Sequence, residues 1–195
     1  MLTATYRAVT KGSRTTYAFF SILLGLVALA LAFANAQDLN LPSPDGTMTL
    51  YEKAGNNARE LWIENARTHR HTKLFDIGGT VSAGWSADGS AFYVNDHWAS
   101  DRERAYIYDA ATLKRLSIGR RILAEDPRSR PFTAGHNYFE IERWDGAHDV
   151  SVKFFGHTDE PPVTCFVFDY RISQAGVVKK LSQHIAPITA KLCEG

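Results

Sequence analysis

Ser43-Pro44-Asp45-Gly46-Thr47 returns 43 residues later as Ser86-Ala87-Asp88-Gly89-Ser90. In Asp-Gly the glycine takes a positive φ without steric cost, and the carboxylate bonds the amides of the turn. One such dipeptide predicts a hairpin and little else. Here the surroundings recur in phase with it. After each copy comes a short strand (residues 48–51 and 91–94), then a polar loop (55–59 and 98–104). An aromatic strand follows, Leu61-Trp62-Ile63 or Ala105-Tyr106-Ile107-Tyr108. A basic final strand closes the unit, His71-Thr72-Lys73-Leu74-Phe75 or Leu113-Lys114-Arg115-Leu116. A third copy begins at Trp144-Asp145-Gly146 and continues through 150–155, a loop with Pro161-Pro162, 164–172 and 177–181. A repeat of this period marks a supersecondary unit that buries its faces against its neighbours.

Outside the repeats, β-branched and aromatic runs alternate with turn dipeptides, and helical periodicity is scarce. The expectation is an all-β chain of antiparallel, blade-like sheets, with repeats near 41–84, 85–119 and 138–182 in one domain spanning 37–195. Residues 120–130, charged and holding Pro127, read as an exposed connection. Only 183–192 is assigned to a helix, cut short by Pro187. Four consecutive apolar residues from Cys165 predict a strand buried on both faces.

The phrase Trp85-Ser86-Ala87-Asp88-Gly89-Ser90, with Tyr106-Ile107-Tyr108-Asp109 downstream, resembles the repeats of TolB-type β-propellers, as does Ser43-Pro44-Asp45-Gly46. The likeness covers about residues 41–118. The first copy has Leu41 and Pro42 where the tryptophan would stand, the second has Ala87 for proline, and the third lacks the serine. A closed propeller needs about four or more four-stranded blades, and three fit here. The resemblance therefore implies blade-like sheets in an open arc, the other arrangement being hairpins within a sandwich.

The chain opens with Arg7, Lys11 and Arg14 and no acidic residue, continues through an apolar run over 17–34, and reaches Ala34-Asn35-Ala36 before polarity rises at Gln37. Basic flank, apolar centre and small-residue exit are the parts of a secretory signal, with cleavage between Ala36 and Gln37. The alternative is an uncleaved anchor over 17–34, since 18 apolar residues reach the lower limit of a membrane span. Either way the remainder is expected in the periplasm or outside the cell. Past the signal the chain carries 19 basic and 21 acidic residues, with no basic block for nucleic acid. Cys165 and Cys193, with 27 residues between them, form a disulfide in an oxidising compartment or stay as two thiols. A bridge would contribute about 3 kcal/mol.

Catalytic signals are missing. No Gly-x-Ser-x-Gly elbow, Gly-rich phosphate loop or His-Glu-x-x-His spacing occurs. Of the seven histidines, His69 and His71 stand two apart, while His148 and His157 neighbour Gly146, Gly156 and the Pro161-Pro162 pair. These read as polar surface loops, so neither metal nor cofactor is expected. The residue that stands out is Trp98, in the polar stretch His97-Trp98-Ala99-Ser100-Asp101-Arg102, where a large ring beside Arg102 and Arg104 fits an interface anchor. The expected function is a non-enzymatic module binding a protein or an envelope component. Two rivals remain: a small periplasmic hydrolase gathering His148, His157 and a carboxylate, and a homo-oligomer closed through open strand edges.

Overall fold

The computed structural model describes residues 39–56, 58–99 and 102–187. Three successive antiparallel meanders account for nearly all of them. The first is β1 (Asn40–Pro42), β2 (Met48–Ala54), β3 (Arg59–Asn65) and β4 (Arg70–Ile77). The second is β5 (Thr80–Trp85), β6 (Ala91–Ala99), β7 (Arg102–Asp109) and β8 (Arg115–Ser117), and the third is β9 (His136–Asp145), β10 (Asp149–His157), β11 (Thr164–Ser173) and β12 (Val178–Pro187). Within each, neighbours in sequence are neighbours in the sheet. The second and third join through one parallel bridge, Arg102 to Asn137.

The Asp-Gly turns set this order, because each closes the first hairpin of its meander. Gly46, Gly89 and Gly146 have φ of 67°, 70° and 84°, the left-handed region that a side chain would strain. In the first turn the Ser43 hydroxyl donates to Asp45 Oδ1 at 2.7 Å and accepts from the Met48 amide at 2.9 Å. The second repeats it: Ser86 Oγ to Asp88 Oδ1 at 2.7 Å and the Ala91 amide to Ser86 Oγ at 3.0 Å.

The period-2 alternation of strands explains how the sheets stack. On β6, Phe92 and Val94 pack with Leu50, Leu61 and Ile63 of the first meander. Ala91, with Ala105 and Ile107 of β7, packs on the other side with Phe154, Phe166 and Phe168 of the third. The middle sheet is thus covered on both faces. The first sheet's remaining face is polar, with Trp62 Nε1 donating to Glu60 at 2.9 Å and Lys73 paired to Glu60 at 2.6 Å.

Tryptophans lock the stack. Trp85 Nε1 donates to the Leu41 carbonyl, and Trp144 Nε1 to the Gly84 carbonyl, both at 3.0 Å. Leu41 and Gly84 are 43 residues apart, so the two latches grip equivalent positions of the preceding sheet.

Three expectations need correction. Residues 120–130 are not merely an exposed connection: Ile118–Glu125 forms helix α1, and Pro127–Thr133 forms a 3-10 helix. Ile118 and Ile122, one turn apart, are fully buried, and this apolar stripe outweighs the charged residues around it. The insertion is pinned to β11 by the Tyr170 hydroxyl, which lies 2.7 Å from Ser129 Oγ and donates to Asp126 at 3.0 Å. Residues 183–187 belong to β12 rather than to a helix, because pairing with β11 outweighs local propensity; 188–192 lie outside the described residues. On β11 one face is fully buried (Phe166, Phe168, Tyr170, Ile172), while Val167 and Asp169 are half-buried, since they face away from the stack.

Candidate functional site

The meanders present two ends. The Asp-Gly turns occupy one. At the other the chain enters β5 and β9 and reverses between β6 and β7 and between β10 and β11. The unusual side chains of the structure gather at this second end.

Trp98 does not lie in a loop. β6 runs on to Ala99 and β7 begins at Arg102, because a register shift between Asp96 and Ala99 absorbs the irregularity and lets the hairpin continue. The ring nevertheless stays 36% exposed, one of four large apolar side chains left at the surface among the described residues. The guanidinium of Arg104 covers it at 4.1 Å from the ring centre, a cation–π distance. Of Arg102 the structure describes the backbone, which pairs with Ala99 and Asn137.

Beneath this ledge two carboxylates are buried. Glu103 is 4% and Asp96 5% exposed. Burial, reinforced by the charges of Glu140 and Asp96, pushes Glu103 up to about 8, so it holds its proton at neutral pH. Burial also raises Asp96, against the opposing pull of Arg104 and His97. His97 Nε2 stands 3.2 Å from Glu103 Oε1, yet the alignment is not that of a hydrogen bond. Nearby, the side-chain amide of Asn95 both donates to and accepts from the backbone of Ile141, each at 2.9 Å, joining β6 to the edge of the third sheet.

The bridge from Arg102 to Asn137 sets the start of β9 beside the β6–β7 hairpin. There His136 and His157 are cross-strand partners, their rings stacked at 4.3 Å and 28°. Both Nδ1 atoms approach one oxygen, Asp159 Oδ1, at 3.5 and 3.6 Å. His148 is not part of this group. It precedes β10 at the Asp-Gly end, whereas His157 ends the strand. The pocket of His148 and His157 expected of a hydrolase is therefore not assembled. Sequence reasoning named His157 with an unspecified carboxylate but missed His136, whose proximity depends on the β9–β10 register.

A cavity of about 360 Å³ against α1 is lined by Tyr106, Arg115, Arg120 and Arg121 and is basic. Another of about 570 Å³, beside Met48, Ile63 and Leu113, presents no carboxylate, imidazole or thiol. Cys165 is 5% exposed on β11. Cys193, the Ala36–Gln37 junction and the apolar tract 17–34 lie outside the described residues. Among the described residues no helix is long and apolar enough to cross a membrane.

No protein-family model matches the chain, and no curated protein matches it. Solved structures do. The β-propeller domain of the trilobed protease from Pyrococcus furiosus is 16% identical, over 73% of this chain and 42% of that one, with a TM-score of 0.48. The chain is similar to a segment of a TolB-type propeller. TolB from Acinetobacter baumannii is 14% identical, over 77% of this chain and 45% of its own, with a TM-score of 0.37. An acylaminoacyl peptidase from Pyrococcus horikoshii is 12% identical, over 73% of this chain and 23% of that one, at 0.41. The chain thus spans less than half the length of each of these. The TolB-like likeness concerns fold, and the chemistry of this chain has to be read from its own residues.

Proposed function

We propose that this chain is an exported, non-enzymatic protein-interaction module of the cell envelope. It meets its partner through the end of the sheets that carries Trp98 and Arg104. The observation that carries the reading is the exposed Trp98 ring with the Arg104 guanidinium laid over it at 4.1 Å. Large aromatic rings and arginines are the side chains on which binding energy concentrates in protein interfaces. The non-enzymatic part rests on the missing nucleophile elbow and phosphate loop in the sequence, and on the separation of His148 from His157.

Both side chains sit at the surface end of a hairpin, so Trp98→Ala and Arg104→Ala should keep the β-sheet circular dichroism spectrum. The wild-type chain, crosslinked in envelope extract, is expected to capture one protein that folded Trp98→Ala captures at least tenfold less well. Equal capture by the folded variant would remove the ledge from the proposal.

Export rests on the tract ending at Ala36, and a bridge between Cys165 and Cys193 follows from delivery to an oxidising compartment. Intact mass measurement of the exported protein tests both. It is expected to begin at Gln37 and to gain the mass of two hydrogen atoms on reduction. A full-length mass would mean that residues 17–34 remain as an anchor, and no change on reduction would mean free thiols.

A further inference from the structure

His136, His157 and Asp159 lie outside the ledge, and hydrogen bonding does not explain their arrangement. An N–H···O bond spans about 2.7–3.2 Å. The two imidazole Nδ1 atoms stand 3.5 and 3.6 Å from Asp159 Oδ1, His157 Nδ1 makes only a long contact of 3.4 Å with the Thr158 carbonyl, and His136 Nδ1 is buried with no hydrogen-bond partner. An orphaned buried ring nitrogen is costly unless something else occupies its lone pair.

The distances suit a different occupant. An ion held about 2.1 Å from nitrogen and oxygen ligands in a tetrahedral array keeps those ligands about 3.4 Å apart. The ligand atoms of all three residues lie within 4.8 Å of one another. Two stacked imidazoles and one carboxylate are the donor set that first-row divalent ions, zinc foremost, prefer to the oxygen-only sets of calcium and magnesium.

The backbone around the group is built for close approach. A Cβ on Gly156 would stand 1.9 Å from the His136 carbonyl oxygen, and one on Gly135 would stand 2.3 Å from the His157 carbonyl oxygen and 3.1 Å from Asp159 Oδ1. Gly135 and Gly156 thus allow the ends of β9 and β10 to close with both rings and the carboxylate on one side. Asn137 adds rigidity by donating to the Gly135 and Thr133 carbonyls at 2.7 and 3.1 Å.

We infer that His136, His157 and Asp159 form a surface site for a divalent transition-metal ion of the zinc type. The chain supplies three ligands, and the half-exposed setting leaves the fourth position to solvent. The site goes beyond the interaction ledge and does not depend on it.

The test is titration of the full chain, stripped with a chelator and freed of it, with Zn²⁺ alone by calorimetry and Co²⁺ alone by visible absorption. One equivalent is expected to bind with a micromolar or tighter Kd, and Co²⁺ to show the intense visible bands of a tetrahedral site. Asp159→Asn and His157→Ala should each weaken binding at least tenfold. Should His157→Ala not fold, Asp159→Asn, altered only in an exposed side chain, carries the comparison. A chain with His69→Ala and His71→Ala, remote on the first sheet, should keep wild-type affinity. The inference is overturned by the lack of saturable binding, by unchanged binding in Asp159→Asn, or by loss of binding in the His69/His71 variant.

Discussion

Asp45 and Asp88 occupy the same turn in successive repeats. In each, hydrogen bonds hold the carboxyl down to about 2: first from the preceding serine, Ser43 or Ser86, then from Thr47 or Ser90. Glu103 is their opposite, a carboxyl pushed up to about 8 from 4.5, chiefly by burial. Its raised value means that the folded chain binds this proton more tightly than the unfolded chain. Its contribution is therefore intact below about pH 4.5 and is lost as pH rises toward 8. Glu103→Gln fixes the side chain in an uncharged form of the same shape. Its melting temperature should match the wild type near pH 4 and exceed it by several degrees at pH 8–9, as read by calorimetric scans. Coincident scans at both pH values would show that Glu103 is solvated.

At the scale of elements, the tryptophan latch explains a departure in the repeats. Trp85 and Trp144 each reach back to the sheet before, and Pro42 stands at the corresponding place in the first sheet, where it has no N–H to offer. Trp85→Phe keeps most of the apolar ring and leaves the Leu41 carbonyl without its donor. A loss of about 1–3 kcal/mol is expected in urea unfolding, with an unchanged m-value. The insertion of α1 and the 3-10 helix obeys similar rules. Phe132 lies 4.9 Å from both Phe166 and Phe168, and Lys180 pairs with Asp126 at 2.5 Å. Burial would raise Asp126, but the bonds from Lys180, Ser129 and Tyr170 outweigh it and hold the carboxyl below its ordinary value.

For the whole molecule, the question is whether the stack continues into another copy. A further sheet laid against the first would meet a polar face, where Tyr51 contacts His71 at 2.9 Å and Glu60 binds both Trp62 and Lys73. A copy whose first sheet followed another copy's third would bring Pro42, not a tryptophan, to the latch position. Both features oppose head-to-tail stacking into a ring. Light scattering on the purified chain should therefore give the monomer mass across a tenfold range of concentration. A mass that grows with concentration would show that another surface joins the copies.

Local chemistry made the meanders legible in the sequence. Asp-Gly turns, alternating apolar residues and a 43-residue recurrence act within a few residues of chain, and they specify four-stranded units wherever they occur. The same reading singled out Trp98, Arg102 and Arg104 as a candidate anchor, because a large ring among polar residues is visible without coordinates. It did not reveal the latches, the buried Glu103, the apolar stripe of Ile118 and Ile122, or the meeting of His136 with His157. Those depend on which strands lie side by side and in what register. Register and stacking are settled by burial summed over the whole core, and no single segment carries that sum.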